Sequence, residues 1–323
     1  MDSETLPSRI HNAYFFQAFN AVSWQICLGS PLILFARELG APAVVLGLLA
    51  GLAPLTSTLQ LLVAPHAERI GYRKLMVSGW SSRVVMLIFL TLLPLSVAFL
   101  PATAVIVLMI LIMFAFTALR GVATCAWLPW ITAIVPRAVR GEYLSRDRTF
   151  VGIASVAALA VAGIFLFDYG NMGAFTIVFG LSFLGGAISL HFLNRIPEPK
   201  GRSLGDQPFV RMRWRDLLRD GAFVRLLTFA AMVQLCVLST GTFITVFVRE
   251  EVQIRDGYIL WITAGAALVG IFGLRLLRRR IDGLGSRPFL GVVFLWWTFY
   301  YFAWFMLAAN LIEGAVLLAP LLM

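Results

Sequence analysis

Charge, histidine and cysteine are all scarce in this 323-residue chain: 13% of the residues are charged, three are His and three are Cys. A soluble domain carries about 25% charged residues, so a water-exposed surface of ordinary polarity is excluded. Cys27, Cys125 and Cys236 all fall inside apolar runs without CxxC spacing, which argues against a disulfide framework and against a zinc site. His11, His66 and His191 stand apart from one another. No metal and no cofactor are therefore expected. The net charge of +10 does not point to nucleic acid, because Lys and Arg form no stripe with interleaved aromatics. No cleavable signal peptide is expected, since the polar first residues lead into an apolar run too long for an h-region.

What the chain has instead is apolar sequence. Sixty per cent of its residues are hydrophobic and its mean hydropathy is +0.88, against about 45–50% apolar residues in a soluble domain. The solvent for this much apolar surface is lipid. A membrane-crossing helix takes about 20 mostly apolar residues. That length places spans at 13–35, 43–64, 75–99, 103–133, 149–168, 172–193, 223–247, 258–277 and 289–309, with a tenth beginning near Leu311. The stretch from Leu311 to Met323 is too short to cross, so the chain is expected to stop inside its tenth span.

Basic residues set the orientation. With the N-terminus in the cytoplasm, all 26 basic residues lie on the inner side except Arg37, Arg249 and Arg255 outside and Arg83 and Arg120 within spans. The longest polar segment, 195–222, carries Pro197, Pro199, Gly201, Gly205 and Pro208. It divides an N-terminal six-helix bundle, 1–194, from an incomplete C-terminal bundle, 223–323. Within it, Arg211–Arg219 spaces Trp214, Leu217 and Leu218 among basic residues, as in a short helix lying on an anionic leaflet; an ordinary solvated linker fits equally well.

One short pattern recurs. Glu68-Arg69-Ile70-Gly71-Tyr72-Arg73-Lys74 has the acid, the Gly three residues on and the basic residue two beyond that; Asp282, Gly285 and Arg287 repeat this. Each copy sits in a polar turn between long apolar segments. Recurrence at equivalent places in two parts of a membrane chain points to a duplicated transporter fold.

These residues resemble the major facilitator superfamily, whose first cytoplasmic turn reads G-x-x-x-D-R-x-G-R-R/K. In that register the chain has Ala64, Glu68, Arg69, Gly71, Tyr72, Arg73 and Lys74, departing at the first Gly and at Tyr72. The second copy has Arg278 in place of the leading Gly. Around the fourth span, Arg120-Gly121, Ala126-Trp127-Leu128-Pro129-Trp130, Val135-Pro136 and Arg140-Gly141-Glu142-Tyr143 also resemble bacterial members. The resemblance covers the whole chain. It implies an all-α polytopic fold of two six-helix halves, the second incomplete, in the bacterial cytoplasmic (inner) membrane. It implies a carrier that moves a small solute by alternating access, and no enzyme.

The turn residues Glu68, Arg69, Gly71, Arg73, Asp282, Gly285 and Arg287 would then form a conformational latch. Glu68 suits the positive N-terminal end of a neighbouring helix, which the resemblance makes helix eleven, and Asp282 would face the region Arg148–Val151. The competing reading is that both turns only set topology. Arg120 lies deep in the fourth span, where an Arg costs roughly 2.5–3.5 kcal/mol, and no acidic residue is expected at its depth. It either binds an anionic substrate group or coupling partner, or bonds to backbone carbonyls. Gln17, Asn20 and Trp24 share one face of the first span. With Gln234 of the seventh, they are the expected cavity residues, since the resemblance makes helices one and seven line the cavity. Interhelical hydrogen bonding is the competing reading. The substrate, and whether a coupling ion is used, stay open. Gly47 and Gly51 have the spacing of a close-packing face. Crowded aromatics from Trp296 to Trp304 suit lipid packing better than a site.

Other classes remain. A membrane-embedded enzyme would need clustered His, Asp, Glu or Ser at one interface, and the isolated histidines argue against it. A non-transporting protein of the same fold (an assembly factor or scramblase) and an inactive fragment are both compatible with the sequence.

Overall fold

The computed structural model describes residues 9–136, 139–167, 171–198, 219–284 and 286–308; within these, the side chains of 238–240, 273–289 and 307–308 are left aside. The described residues form twelve α-helices and no strand. In chain order they are α1 (His11–Cys27), α2 (Ser30–Glu38), α3 (Ala43–Ser57), α4 (Gln60–Ile70), α5 (Tyr72–Leu92), α6 (Ala102–Thr124), α7 (Trp127–Ile134), α8 (Arg140–Phe165), α9 (Met172–Leu193), α10 (Gly221–Glu250), α11 (Asp256–Leu284) and α12 (Ser286–Ala308).

Several expected spans are broken helices. The first runs His11–Glu38 and breaks at Leu28-Gly29. A Cβ on Gly29 would lie 2.2 Å from the Gln25 carbonyl oxygen, so only glycine lets the chain fold back this tightly; Pro31 then opens α2. The second span bends by 43° between α3 and α4. Pro54 removes a backbone donor there, and the Thr56, Ser57 and Thr58 hydroxyls bond to the Leu52, Pro54 and Leu55 carbonyls around the bend. Among the described residues six stretches are long and apolar enough to cross a membrane, or seven with the bent pair counted as one. In α11 and α12 the apolar stretches are the shorter Asp256–Phe272 and Leu290–Met306. The linker helix expected at Arg211–Arg219, apart from Arg219 itself, and the tenth span lie outside the described residues.

Helix α1 is central, packing along α8 and α9, while α5 packs on α6 and α9, and α8 on α11. Close approach falls where small residues permit it. A Cβ on Gly79 would lie 2.4 Å from the Ala123 Cβ, and one on Gly121 2.4 Å from the Thr56 carbonyl oxygen. Gly163 and Gly257 bring α8 against α11 in the same way. Gly47 and Gly51 do not: nothing lies within 4 Å of a Cβ built on either. Their spacing suits helix packing, but neither is a point of close approach among the described residues.

The buried apolar residues form two separate clusters. One gathers Ile26, Phe35, Leu87, Met109, Met113, Phe116 and Phe179; the other gathers Phe16, Met76, Trp80, Ala123, Trp130 and Leu193. Along α1, α5, α6 and α9 the residues between these clusters include a set of polar ones, Asn20 and Ser23, Arg83, Thr117 and Arg120, Ser182 and Ser189, beside the small apolar Ala21 and Val84. The helices therefore share a polar layer midway along the bundle.

Candidate functional site

The polar layer is built around Arg83. Its side chain is 0% exposed, and its Nη2 donates to Asn20 Oδ1 at 2.7 Å. The guanidinium carbon lies 4.7 Å from the centre of the Trp80 ring and 5.0 Å from that of Phe116. Nearby, the Ser182 hydroxyl donates to the Ser23 carbonyl at 2.8 Å, tying α9 to α1. Among the described residues no carboxylate pairs with Arg83.

Magnitudes show what this arrangement lacks. A central Arg costs roughly 2.5–3.5 kcal/mol to insert. A hydrogen bond to a charged group returns about 1.5–3 kcal/mol, and a desolvated cation–π contact about 2. The cation itself is therefore accommodated. Its N–H groups are not, because Nε and Nη1 are buried without a hydrogen-bond partner, as is the indole Nε1 of Trp80 beside them. Every unpaired buried polar atom on this pair of residues is a donor.

Arg120, the deep Arg of the fourth span, lies on α6 in the same layer and is half-buried. Arg83, Arg120 and Cys27 are within electrostatic reach of one another. The sequence pattern places Arg83 within a span but gives it no task. The signal available was an Arg in a span, between Ser81-Ser82 and an apolar run, with an amide on the first span to receive it.

The remaining expected residues are dispersed. Gln17 lies within hydrogen-bonding reach of Asp147 of α8. Asp147 is 6% exposed, with Oδ1 unpaired alongside the buried, unpaired hydroxyls of Tyr14 and Tyr143. The expected fifth span begins at residue 149 and leaves this carboxylate outside; α8 begins at Arg140 and carries it into the bundle. Arg146 and Arg148 on either side mask its burial from any hydropathy reading. Trp24 is half-buried, and Gln234 is exposed on α10.

A cavity of about 320 Å³ opens where the broken first span meets α10 and α11, lined among others by Gln25, Gly29, Ser30, Thr242, Thr245 and Thr263. Helices one and seven do meet there, through Gln25 and Thr242 instead of Trp24 and Gln234. At one end of the same helix pair, Arg37 of α2 pairs with Glu250 of α10, and Arg249 pairs with Glu38 of α2. Arg249 also reaches Asp256 at 2.9 Å and donates to the Leu34 carbonyl at 3.1 Å.

In the turn between α4 and α5, Gly71 has φ +92°, the left-handed region that favours glycine. Glu68 and Arg69 are exposed. Arg73 donates to the Asn194 carbonyl at 2.7 Å and lies 3.5 Å from Glu198, so it binds the C-terminal end of α9, where a cation is favoured. Asp282 and Arg287 fall in α11 and α12 at positions whose side chains are not described, and Gly285 lies outside the described residues. Among the described residues no group of three His, Cys, Asp or Glu could hold a metal ion.

These features, a multi-pass helical protein with a broken first span and a polar cavity at its meeting with α10, suit a membrane carrier fold. The chain matches the sequence profile of the Major Facilitator Superfamily over residues 13–323, and it belongs to that family. A search of curated proteins finds no relative that matches the chain.

Proposed function

We propose that the chain is a secondary transporter, moving a small solute across a membrane by alternating access, and not an enzyme. The cavity between the broken first span and α10 carries this reading. Its lining mixes the Gln25 amide and the hydroxyls of Ser30, Thr242, Thr245 and Thr263 with apolar Leu28, Ile33 and Ile244. A pocket of this size and mixed character takes a small solute. Discontinuous helices at a cavity are how carriers present backbone groups to cargo.

The ion pairs between α2 and α10 form a closure at one end of the cavity. The bias of basic residues supports a cytoplasmic N-terminus, which puts this closure on the outer face and makes the observed state one closed to the outside. The turn with Glu68, Gly71 and Arg73, and its counterpart with Asp282, Gly285 and Arg287, would limit movement at the opposite face.

The test is substrate-loaded exchange in proteoliposomes, with a panel of labelled small solutes and the Thr242→Trp variant as control. The reading expects saturable exchange of at least one solute and its loss when Trp fills the cavity. Exchange at the rate of empty liposomes for every solute would overturn it.

A further inference from the structure

The carrier reading leaves the cargo unnamed, and the layer around Arg83 supplies its chemistry. Three buried N–H donors, Nε and Nη1 of Arg83 and Nε1 of Trp80, have no acceptor. Their surroundings offer more positive charge, from Arg120, and no carboxylate among the described residues. Buried polar groups are hydrogen-bonded in folded proteins, and each exception asks for a missing partner. Here the missing partner must accept hydrogen bonds, and a negative charge on it would offset two guanidinium groups at once.

We propose that Arg83, held by Asn20 and assisted by Arg120, binds the carboxylate of a small organic anion in the middle of the bundle. This rests on the carrier reading and deepens it by naming the substrate class; Arg83 does not line the cavity between the first span and α10, so the anion would be held here at a second point along its path. A carboxylate suits the site because one edge of the planar guanidinium presents parallel N–H groups to its two oxygens, Nε or Nη1 acting with the second N–H of Nη2. The Trp80 and Phe116 rings beside the guanidinium suit a solute with an apolar body. Asn20 orients the guanidinium through one N–H of Nη2 and leaves Nε, Nη1 and the second Nη2 hydrogen for the ligand. The close approach of α5 to α6 at Gly79 and Ala123 keeps Arg83 and Arg120 in one layer.

The experiment uses the full chain in lipid nanodiscs, with benzoate as probe, benzamide as its uncharged counterpart, and ionic strength held constant. Thermal unfolding is followed against probe concentration. A ligand that binds only the folded state raises the midpoint in a saturable way. The expected result is a saturable rise with benzoate, none with benzamide, and affinity at least tenfold weaker in Arg83→Gln. Asn20→Asp places a built-in carboxylate on Arg83, so this variant is expected to fold and to lose the benzoate response, which decides the matter if Arg83→Gln does not fold.

No benzoate response in the native protein, or a response unchanged in Asn20→Asp, overturns the proposal. Labelled benzoate uptake into proteoliposomes separates the two readings. Binding without uptake leaves the anion site standing and removes transport of this class. Uptake of an uncharged solute that survives Arg83→Gln leaves a carrier and overturns the anion site.

Discussion

Asn20 and Arg83, 63 residues apart in sequence, meet at 2.7 Å between the two apolar clusters of the bundle. This contact joins α1 to α5 at the level where neither cluster reaches. Removing the amide with Asn20→Ala leaves a further guanidinium N–H without an acceptor. Loss of a hydrogen bond to a charged group should lower stability by about 1.5–3 kcal/mol, read as a lower thermal midpoint. Asn20→Asp should raise the midpoint instead, since it supplies the absent counter-charge.

The closure between α2 and α10 should be unequal in its two pairs. Arg249 is 10% exposed in its side chain and its partner Asp256 3%, so Arg249→Ala strands a buried carboxylate. Breaking a buried pair costs about 3–5 kcal/mol. Arg37 and Glu250 are 25% and 39% exposed, and an exposed pair contributes about 0–1 kcal/mol. Thermal unfolding of Arg249→Ala and Arg37→Ala side by side should show the large loss in the first alone.

The break in the first span should be intolerant of one methyl group. Gly29→Ala sets a Cβ against the Gln25 carbonyl oxygen and forces the backbone to move, at about 1–3 kcal/mol for overpacking. Gly47→Ala meets nothing and should be neutral or slightly stabilising, because Ala suits a helix interior by about 0.5–1 kcal/mol over Gly. Comparing the yield and thermal midpoint of the two variants checks both statements.

At the α4–α5 turn, Gly71→Val puts a β-branched residue at φ +92°, a strain of about 1–3 kcal/mol. If this turn controls movement, exchange in proteoliposomes should fall further than the amount of folded protein does. An equal fall in both would reduce the turn to a structural hairpin.

Length and hydropathy made the helices legible, but not the break at Leu28-Gly29. Gly29 reads as one more small residue in an apolar run, and its role depends on the Gln25 carbonyl folding back upon it. The polar face of the first span was also legible, because Gln17, Asn20 and Trp24 follow helical spacing. Their partners were not. Asn20 meets Arg83 and Gln17 meets Asp147, and no local pattern encodes such pairings. Asp147 escaped because a hydropathy window averages it with Arg146 and Arg148, whereas burial is decided residue by residue around the helix. Arg37, Glu38, Arg249 and Glu250 read as ordinary interfacial charges until α2 and α10 are brought together.

The most direct test of alternating access is the distance across that closure. Spin labels at Val44 and Glu251, both exposed, would report it by double electron–electron resonance in nanodiscs. The account predicts two distance populations, with the shorter one for the state described here and the longer one enriched by Arg249→Ala. A single population, unchanged by that substitution, would contradict it.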